Sequence, residues 1–265
     1  MEIIGYLASV LIGISLGLIG GGGSILTVPV LVYLFSIDTV LATTYSLFVV
    51  GFTSSVGSLS YLKKGWVEVR IVLFFGLPST ISVFLTRHYL LPRIPELVMN
   101  VGGFELTRSI LLMLFFAVLM LLAAYSMIKK AVEGEEECNR TAHMIWIVVR
   151  GLLVGIVTGL IGAGGGFLII PALIKLLKLT MKTAVGTSLV IIAVNSLAGF
   201  AFSMDQSPVR WPFLLTVTII AIFGIFIGSY LSAKIEGKKL KPAFGWFVLV
   251  MGIYILIKEI LLKRI

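Results

Sequence analysis

Two glycine runs are the parts of this chain best suited to chemistry performed by backbone instead of side chains. The phrase GLIGGGGSILTVPVL begins at Gly17, and GLIGAGGGFLIIPAL begins 142 residues later at Gly159. A run of consecutive glycines does not form one face of a helix; it breaks the helix and leaves amides and carbonyls that hydrocarbon cannot satisfy. Such backbone must be buried in protein or line a wet cavity. The chain turns apolar again after each run, so a short helix should begin there, with Ser24 as an N-cap candidate and Pro29 and Pro171 matched in its first turns. The amides and positive dipole end at the start of such a helix attract anions. Gly22, Gly23, Ser24, Gly164, Gly165 and Gly166 therefore form a candidate backbone cradle for a small anionic substrate. Gly13 and Gly17, and Gly151, Gly155 and Gly159, follow four-residue spacing and read instead as close-packing positions between membrane helices.

Polar side chains on the following helices supply a second layer. Thr44, Ser46 and Thr53 in the first half, and Thr187, Ser188 and Asn195 in the second, are spaced to reach the same region, where hydroxyls or an amide can donate to oxyanion oxygens. Ordinary bonding between helices, or back to the carbonyl one turn earlier, fits the Ser and Thr equally well. Asn195, deep in an apolar run, leans toward function. Thr53 and Arg150 are secondary candidates. Arg150 interrupts an apolar run and would give the path an asymmetric positive charge, although an arginine near a helix end more often snorkels.

Other chemistries find little support. Cys138 is the only cysteine, so there is no intrachain disulfide and no CxxC site. Glu133, Glu135, Glu136 and Glu137 lack a His or Cys ligand pattern and read as surface charge, so no metal or other cofactor is expected. Neither glycine run is followed by Lys-Ser or Lys-Thr, which argues against a nucleotide phosphate loop. A serine hydrolase built on Ser24 is a weak alternative, because His88 and His143 lie at segment edges and no base is at hand; the chain does not read as an enzyme. No Asp or Glu falls in the middle of a predicted span, so a buried carboxylate relay is not expected. Coupling would run through sodium held by backbone oxygens, through a proton carried on the substrate, or through the gradient of the substrate itself.

The elements that must hold these residues are membrane helices. The 265 residues are 59% hydrophobic and 12% charged, with a mean hydropathy of +1.13. The net charge of +9 comes from Lys and Arg at the ends of apolar runs, which topology explains without nucleic acid. Runs of spanning length cover 40–62, 70–91, 107–128, 183–203, 212–233 and 243–262. The runs carrying the repeated phrase, 3–35 and 144–177, are each roughly 50 Å as one helix, too long for one crossing and too short for two. Each is expected to be a broken helix or a re-entrant hairpin. Placing Lys63, Lys64, Arg70, Lys129, Lys130, Arg140, Arg150, Lys175, Lys178, Lys182, Lys234, Lys238, Lys239 and Lys241 in the cytoplasm favours two inverted-topology repeats, with the N-terminus outside; parallel repeats fit these charges less well. The repeat continues as Ala42, Ser46, Leu47, Ser54 and Gly57 against Ala184, Ser188, Leu189, Ser196 and Gly199, and with a small gap Trp66 against Trp211. The expected organisation is all-α: a first membrane repeat over 1–128, a hydrophilic cytoplasmic linker over 129–143 and a second repeat over 144–265.

At these residues the chain resembles the sulfite exporter TauE/SafE family of membrane permeases. The resemblance rests on the paired glycine phrases, on TYSLF at Thr44 and GTSLV at Thr187, and on YLKKGWV at Tyr61, and it covers essentially the whole chain. It departs from the pattern at Ala163, which replaces a glycine of the second run, and at Trp211, which sits in a proline-flanked, more charged loop. The resemblance implies a multi-pass permease of the cytoplasmic membrane that moves sulfite, sulfonates or other organosulfur anions. Alternating access at a mid-membrane site is the first expectation and an anion channel on the same fold is the alternative. The partners expected are the anionic substrate, the lipid bilayer, a coupling ion and a second copy in a homodimer, with no nucleic acid.

Overall fold

The computed structural model describes residues 2–101, 104–128, 140–162, 164–177, 179–204, 209–234 and 237–262. Helix α1 (Glu2–Ile19) runs into a 3-10 segment (Gly20–Leu26) and a short α2 (Thr27–Tyr33). Then come α3 (Thr39–Lys63) and α4 (Val69–Arg93). A hairpin of β1 (Leu97–Val101) and β2 (Phe104–Thr107) precedes α5 (Arg108–Ile128). The second half repeats the order with α6 (Arg140–Ile161), α7 (Gly166–Leu177), α8 (Met181–Ala201), α9 (Trp211–Lys234) and α10 (Gly237–Ile257).

Local chemistry sets these boundaries. The Asp38 carboxylate accepts from the Val40 amide to start α3, and the Thr180 hydroxyl accepts from the Thr183 amide to start α8. These caps are repeat counterparts. Helix α4 widens into π turns at Val72–Gly76 and Thr86–Leu90. Each π turn is followed two residues later by a proline, Pro78 or Pro92, whose ring clashes with the carbonyl one turn back.

Among the described residues five helices, α3, α4, α5, α8 and α9, are long and apolar enough to cross a membrane, which makes the chain an all-α polytopic membrane protein. Two of them are central: 72% of the spanning stretch is buried in α3 and in α8, against 39% in α4 and in α9. The outer helices turn stripes such as Leu73, Leu77 and Ile81 of α4, and Leu215, Ile219 and Phe223 of α9, outward, as lipid contact requires. The sixth expected run, 243–262, is α10 followed by a π turn at Lys258–Leu262. The hairpin fills the stretch near 97–108 that has no counterpart in the second half. Helix α6 already begins at Arg140, inside the expected linker; Lys129, Lys130, the four glutamates, Cys138, Ala163, Lys178 and Asp205 lie outside the described residues.

The halves hold one another through exchanged contacts. Helix α1 lies along α9 in parallel, where added methyl groups on Gly13 and Gly17 would strike the backbone at Gly224 and Gly228. Helix α6 lies along α4 in the same way, with Gly151, Gly155 and Gly159 against Phe75, Ser79 and Thr86. The four-residue glycine spacing is thus used for packing, since only glycine lets these backbones approach so closely. Helices α3 and α8 cross antiparallel: Gly51 meets Leu197, Gly57 meets Leu189, and Gly199 meets Leu47. The last two contacts are repeat counterparts of each other.

Candidate functional site

Both long runs that carry the repeated phrase are broken at their glycines. Gly20 and Gly162, counterparts in the repeat, share a left-handed backbone with φ of 71° and 72°, a conformation that costs an L-residue roughly 1–2 kcal/mol. Each break ends against the first turns of the opposite central helix: Gly162 against Thr43 of α3, and Gly20 against Val185 of α8. These contacts are again counterparts. Between them the two runs touch: a methyl on Gly21 would lie 2.5 Å from the Gly166 Cα.

The runs nevertheless differ in conformation. In the first, the Ser24 hydroxyl donates to the Gly21 carbonyl at 2.8 Å, and the chain winds as one 3-10 segment that feeds α2. Ser24 is therefore inside a helical turn and does not act as the expected N-cap; that place falls to Leu26, which makes no side-chain cap. In the second, Gly164 and Gly165 are also left-handed, with φ of 66° and 68°, and α7 starts at once from Gly166. The Leu168 and Ile169 amides both donate to the Gly165 carbonyl. The amides preceding them face the break, as the start of a helix requires. Pro29 lies in the first turn of α2 and Pro171 in the second turn of α7.

The surrounding polar residues divide into four groups. Ser46 is fully buried and its hydroxyl has no partner. Thr53 and Ser188 donate to the carbonyls of Val49 and Val185 on their own helices. Asn195 bridges to α4: its amide donates to the Ser79 hydroxyl at 2.7 Å, and its carbonyl oxygen accepts from Thr80 at 2.6 Å. Thr187 points elsewhere, accepting the Glu68 amide at 3.0 Å ahead of α4. Its counterpart Tyr45 accepts the Arg210 amide at 2.7 Å ahead of α9, so the two form a matched pair of clamps on the connecting loops. Arg150 is half-buried on α6, beside Gly151, twelve residues and roughly 18 Å of helix before the break. The structure does not bring it to the glycine runs.

Two hydroxyls that sequence reasoning did not select flank the second run. Ser196 Oγ lies 3.0 Å from where a Gly164 Cβ would be, and Thr158 Oγ1 stands against Gly165. Both are buried without a partner. The recurrence of Ser54 as Ser196 was the available signal.

A third missed residue is Arg87, on the second π turn of α4. It is 1% exposed. One nitrogen, Nη1, donates to the Thr44 hydroxyl at 3.3 Å, while Nε and Nη2 have no partner. A buried charge without a counter-ion costs several kcal/mol, so its position calls for a physical reason. Its counterpart in α9, read from how Gly159 and Gly17 pack on Thr86 and Gly228, is Ser229. The asymmetric charge expected at Arg150 therefore lies on Arg87. The signal was a lone arginine four residues inside the 70–91 run. Among the described residues one carboxylate is also buried: Glu259, just past α10, accepts from the Tyr33 hydroxyl at 2.9 Å.

A cavity of about 730 Å³ opens at one end of α3, lined by Tyr6, Phe35, Asp38, Tyr45, Arg210 and Phe213. At the other end the ammonium groups of Lys64 and Lys182 lie 5.1 and 5.0 Å from the Trp66 ring. Basic residues from α3 and α8 thus gather on one face, opposite the cavity. His88 is exposed and stacks on Phe84 at 5.3 Å. No cluster of metal-ligating side chains occurs among the described residues.

Apolar spanning helices around two facing helix breaks define a multi-pass membrane protein with the plan of a transporter. The chain belongs to the sulfite exporter TauE/SafE family, whose model matches residues 5–255. It is 28% identical over 252 residues to a probable membrane transporter protein of Xylella fastidiosa strain Temecula1, covering 93% of this chain and 91% of that one. It is 28% identical over 255 residues to the probable membrane transporter protein YunE of Bacillus subtilis, covering 89% and 90%. A shorter match, 32% over 114 residues, links it to the probable membrane transporter protein MJ0441 of Methanocaldococcus jannaschii, covering 41% and 43%. No solved structure matches the chain.

Proposed function

We propose that this membrane transporter carries small anions, sulfite or organosulfonates first among them, by alternating access at a site between two inverted-topology repeats. The observation that carries this reading is the meeting of the two glycine runs, Gly21 against Gly166, between central helices. Backbone amides left without a helical partner at such a junction bind an oxyanion without a permanent counter-charge. The cradle comprises Gly22, Gly23, Ser24, Gly164, Gly165 and Gly166, with hydroxyls from Thr44 and Ser46 and the amide of Asn195 around it. The antiparallel crossing of α3 and α8, two counterparts, supports an axis lying in the membrane plane, because an axis along the normal would leave them parallel. The broken segments then enter and leave on one face.

The face bearing Lys63, Lys64, Arg70 and Lys182 is assigned to the cytoplasm of a cell membrane. The opposite face, with Tyr6 and the cavity, places the N-terminus outside. A proton or sodium ion couples transport, and two copies assemble in the membrane. The family description supports sulfite as the substrate to test first.

The test is uptake of radiolabelled sulfite into proteoliposomes holding the purified protein, with sulfonates, sulfate and acetate as competitors. Saturable uptake competed by sulfonates is expected. Uptake that rises linearly with concentration would instead favour a channel. No uptake of any of these anions under any ion or pH gradient would overturn the reading.

A further inference from the structure

We propose that Arg87 is the cationic half of the substrate site, holding the oxyanion through the two parallel N–H groups of its Nε–Nη2 edge. The inference rests on the anion-carrier reading above and deepens it, because it names the side chain that selects for oxyanions. Four observations carry it. Arg87 is 1% exposed, so water does not solvate the charge. The nitrogen with a partner is Nη1, fixed by the Thr44 hydroxyl at 3.3 Å, whereas the unpartnered nitrogens are Nε and Nη2. These two form the side-on fork of a guanidinium, whose spacing matches two oxygens of a carboxylate, sulfonate, sulfite or phosphate group. A guanidinium tethered at Nη1 with that edge buried and unpaired is oriented for a bidentate ligand.

The third observation is position. Thr43, beside the Thr44 that holds Arg87, abuts the left-handed Gly162, and Thr86 abuts Gly159. The arginine therefore stands where α6 breaks. Helix α6 presents its carbonyl end there, which offsets part of the charge while the site is empty. The fourth is the π turn Thr86–Leu90 itself. Such a turn adds a residue to the helical repeat, rotates the side chains around it, and is common at functional positions.

A planar fork selects for ligands with two coplanar oxygens and disfavours spherical anions such as chloride. A lysine keeps the charge but offers no fork, so it separates electrostatics from geometry. The variants to compare are Arg87→Lys, Arg87→Gln and Thr44→Val, each purified, checked for monodispersity and reconstituted. For wild type, saturable uptake of sulfite and its inhibition by methanesulfonate are measured against inhibition by chloride. Arg87→Lys is expected to raise KM by about tenfold or more and to narrow the preference for methanesulfonate over chloride, with a smaller change in maximal rate. Arg87→Gln is expected to raise KM by roughly a hundredfold. Thr44→Val, which frees Nη1 without removing the charge, should raise KM by about threefold. Should Arg87→Gln fail to fold, Arg87→Lys still decides the matter. Wild-type uptake that saturates, with Arg87→Lys unchanged in KM and anion preference, would overturn the role of Arg87 and leave the carrier reading standing. Absence of saturable anion uptake by wild type would overturn both.

Discussion

The two glycine runs are nearly the same sequence, yet they fold differently. In the first, only Gly20 is left-handed and the chain continues as a 3-10 segment; in the second, Gly162, Gly164 and Gly165 all are, and a twelve-residue helix starts at once. The sequence difference that accounts for this is small. Ser24 ties its hydroxyl to the Gly21 carbonyl and draws the first run into a tight turn, while its counterpart Gly166 has no side chain with which to do so. Buried hydroxyls without a partner occur in both halves, at Thr27, Ser46 and Ser54 as at Thr158 and Ser196, but the charge lies on one side: Arg87 stands at the edge of the second run, and the equivalent place beside the first is held by Ser229 of α9. A duplicated scaffold has thus kept its packing symmetric and made its polar centre unequal.

The largest effect should come from a glycine that combines a left-handed backbone with a close backbone neighbour. Gly162→Ala places a methyl 2.6 Å from the Thr43 Cβ at a φ of 72°. A loss of about 3 kcal/mol or more in detergent unfolding is expected, with uptake abolished. Gly65→Ala is the control: its φ is 68° but nothing lies within 4 Å, so about 1 kcal/mol and unchanged uptake are expected. Equal losses would mean that conformation alone, and not the junction, makes Gly162 necessary.

Asn195→Ala strands the Ser79 hydroxyl on α4, while Thr80 keeps its bond to the Gly76 carbonyl, and should cost about 1–2 kcal/mol in the same assay. Next come the matched clamps. Tyr45→Phe and Thr187→Val each remove the acceptor of one loop amide, so thermal unfolding should register similar losses of about 1 kcal/mol. A rise in KM for Thr187→Val alone would return Thr187 to the substrate site. The smallest effect is expected from Ser24→Ala, which removes the bond to the Gly21 carbonyl at a cost of about 1 kcal/mol and leaves uptake within about threefold of wild type. Complete loss of function there would point to chemistry at the hydroxyl.

Much of the architecture was legible because membranes allow few solutions. Apolar length gave the spanning helices, the spacing of Gly13, Gly17, Gly151, Gly155 and Gly159 marked positions of close helix packing without naming the partner helix, and the glycine runs marked the breaks. The polar centre was harder to read. A threonine in an apolar helix has the same sequence context whether it bonds to its own helix, as Thr53 does, or to a loop on the neighbouring helix, as Thr187 does. The difference lies in rotation about the helix axis, which depends on packing. Arg87 was hidden for a related reason. An arginine six residues before Arg93 looks able to snorkel, and only the π turn and the neighbouring α3 turn it inward. The hairpin after α4 had no periodic apolar signal strong enough to separate it from a loop.

The location of the site is tested most directly by anion protection of a single cysteine. In a Cys138→Ser background, Ser196→Cys beside the second run and its counterpart Ser54→Cys are labelled with a small methanethiosulfonate reagent, with and without methanesulfonate. The account expects labelling at Ser196→Cys to slow in a saturable, concentration-dependent way and labelling at Ser54→Cys to slow less. Rates at both positions that do not respond to methanesulfonate, in a preparation that transports it, would place the anion site away from the glycine junction.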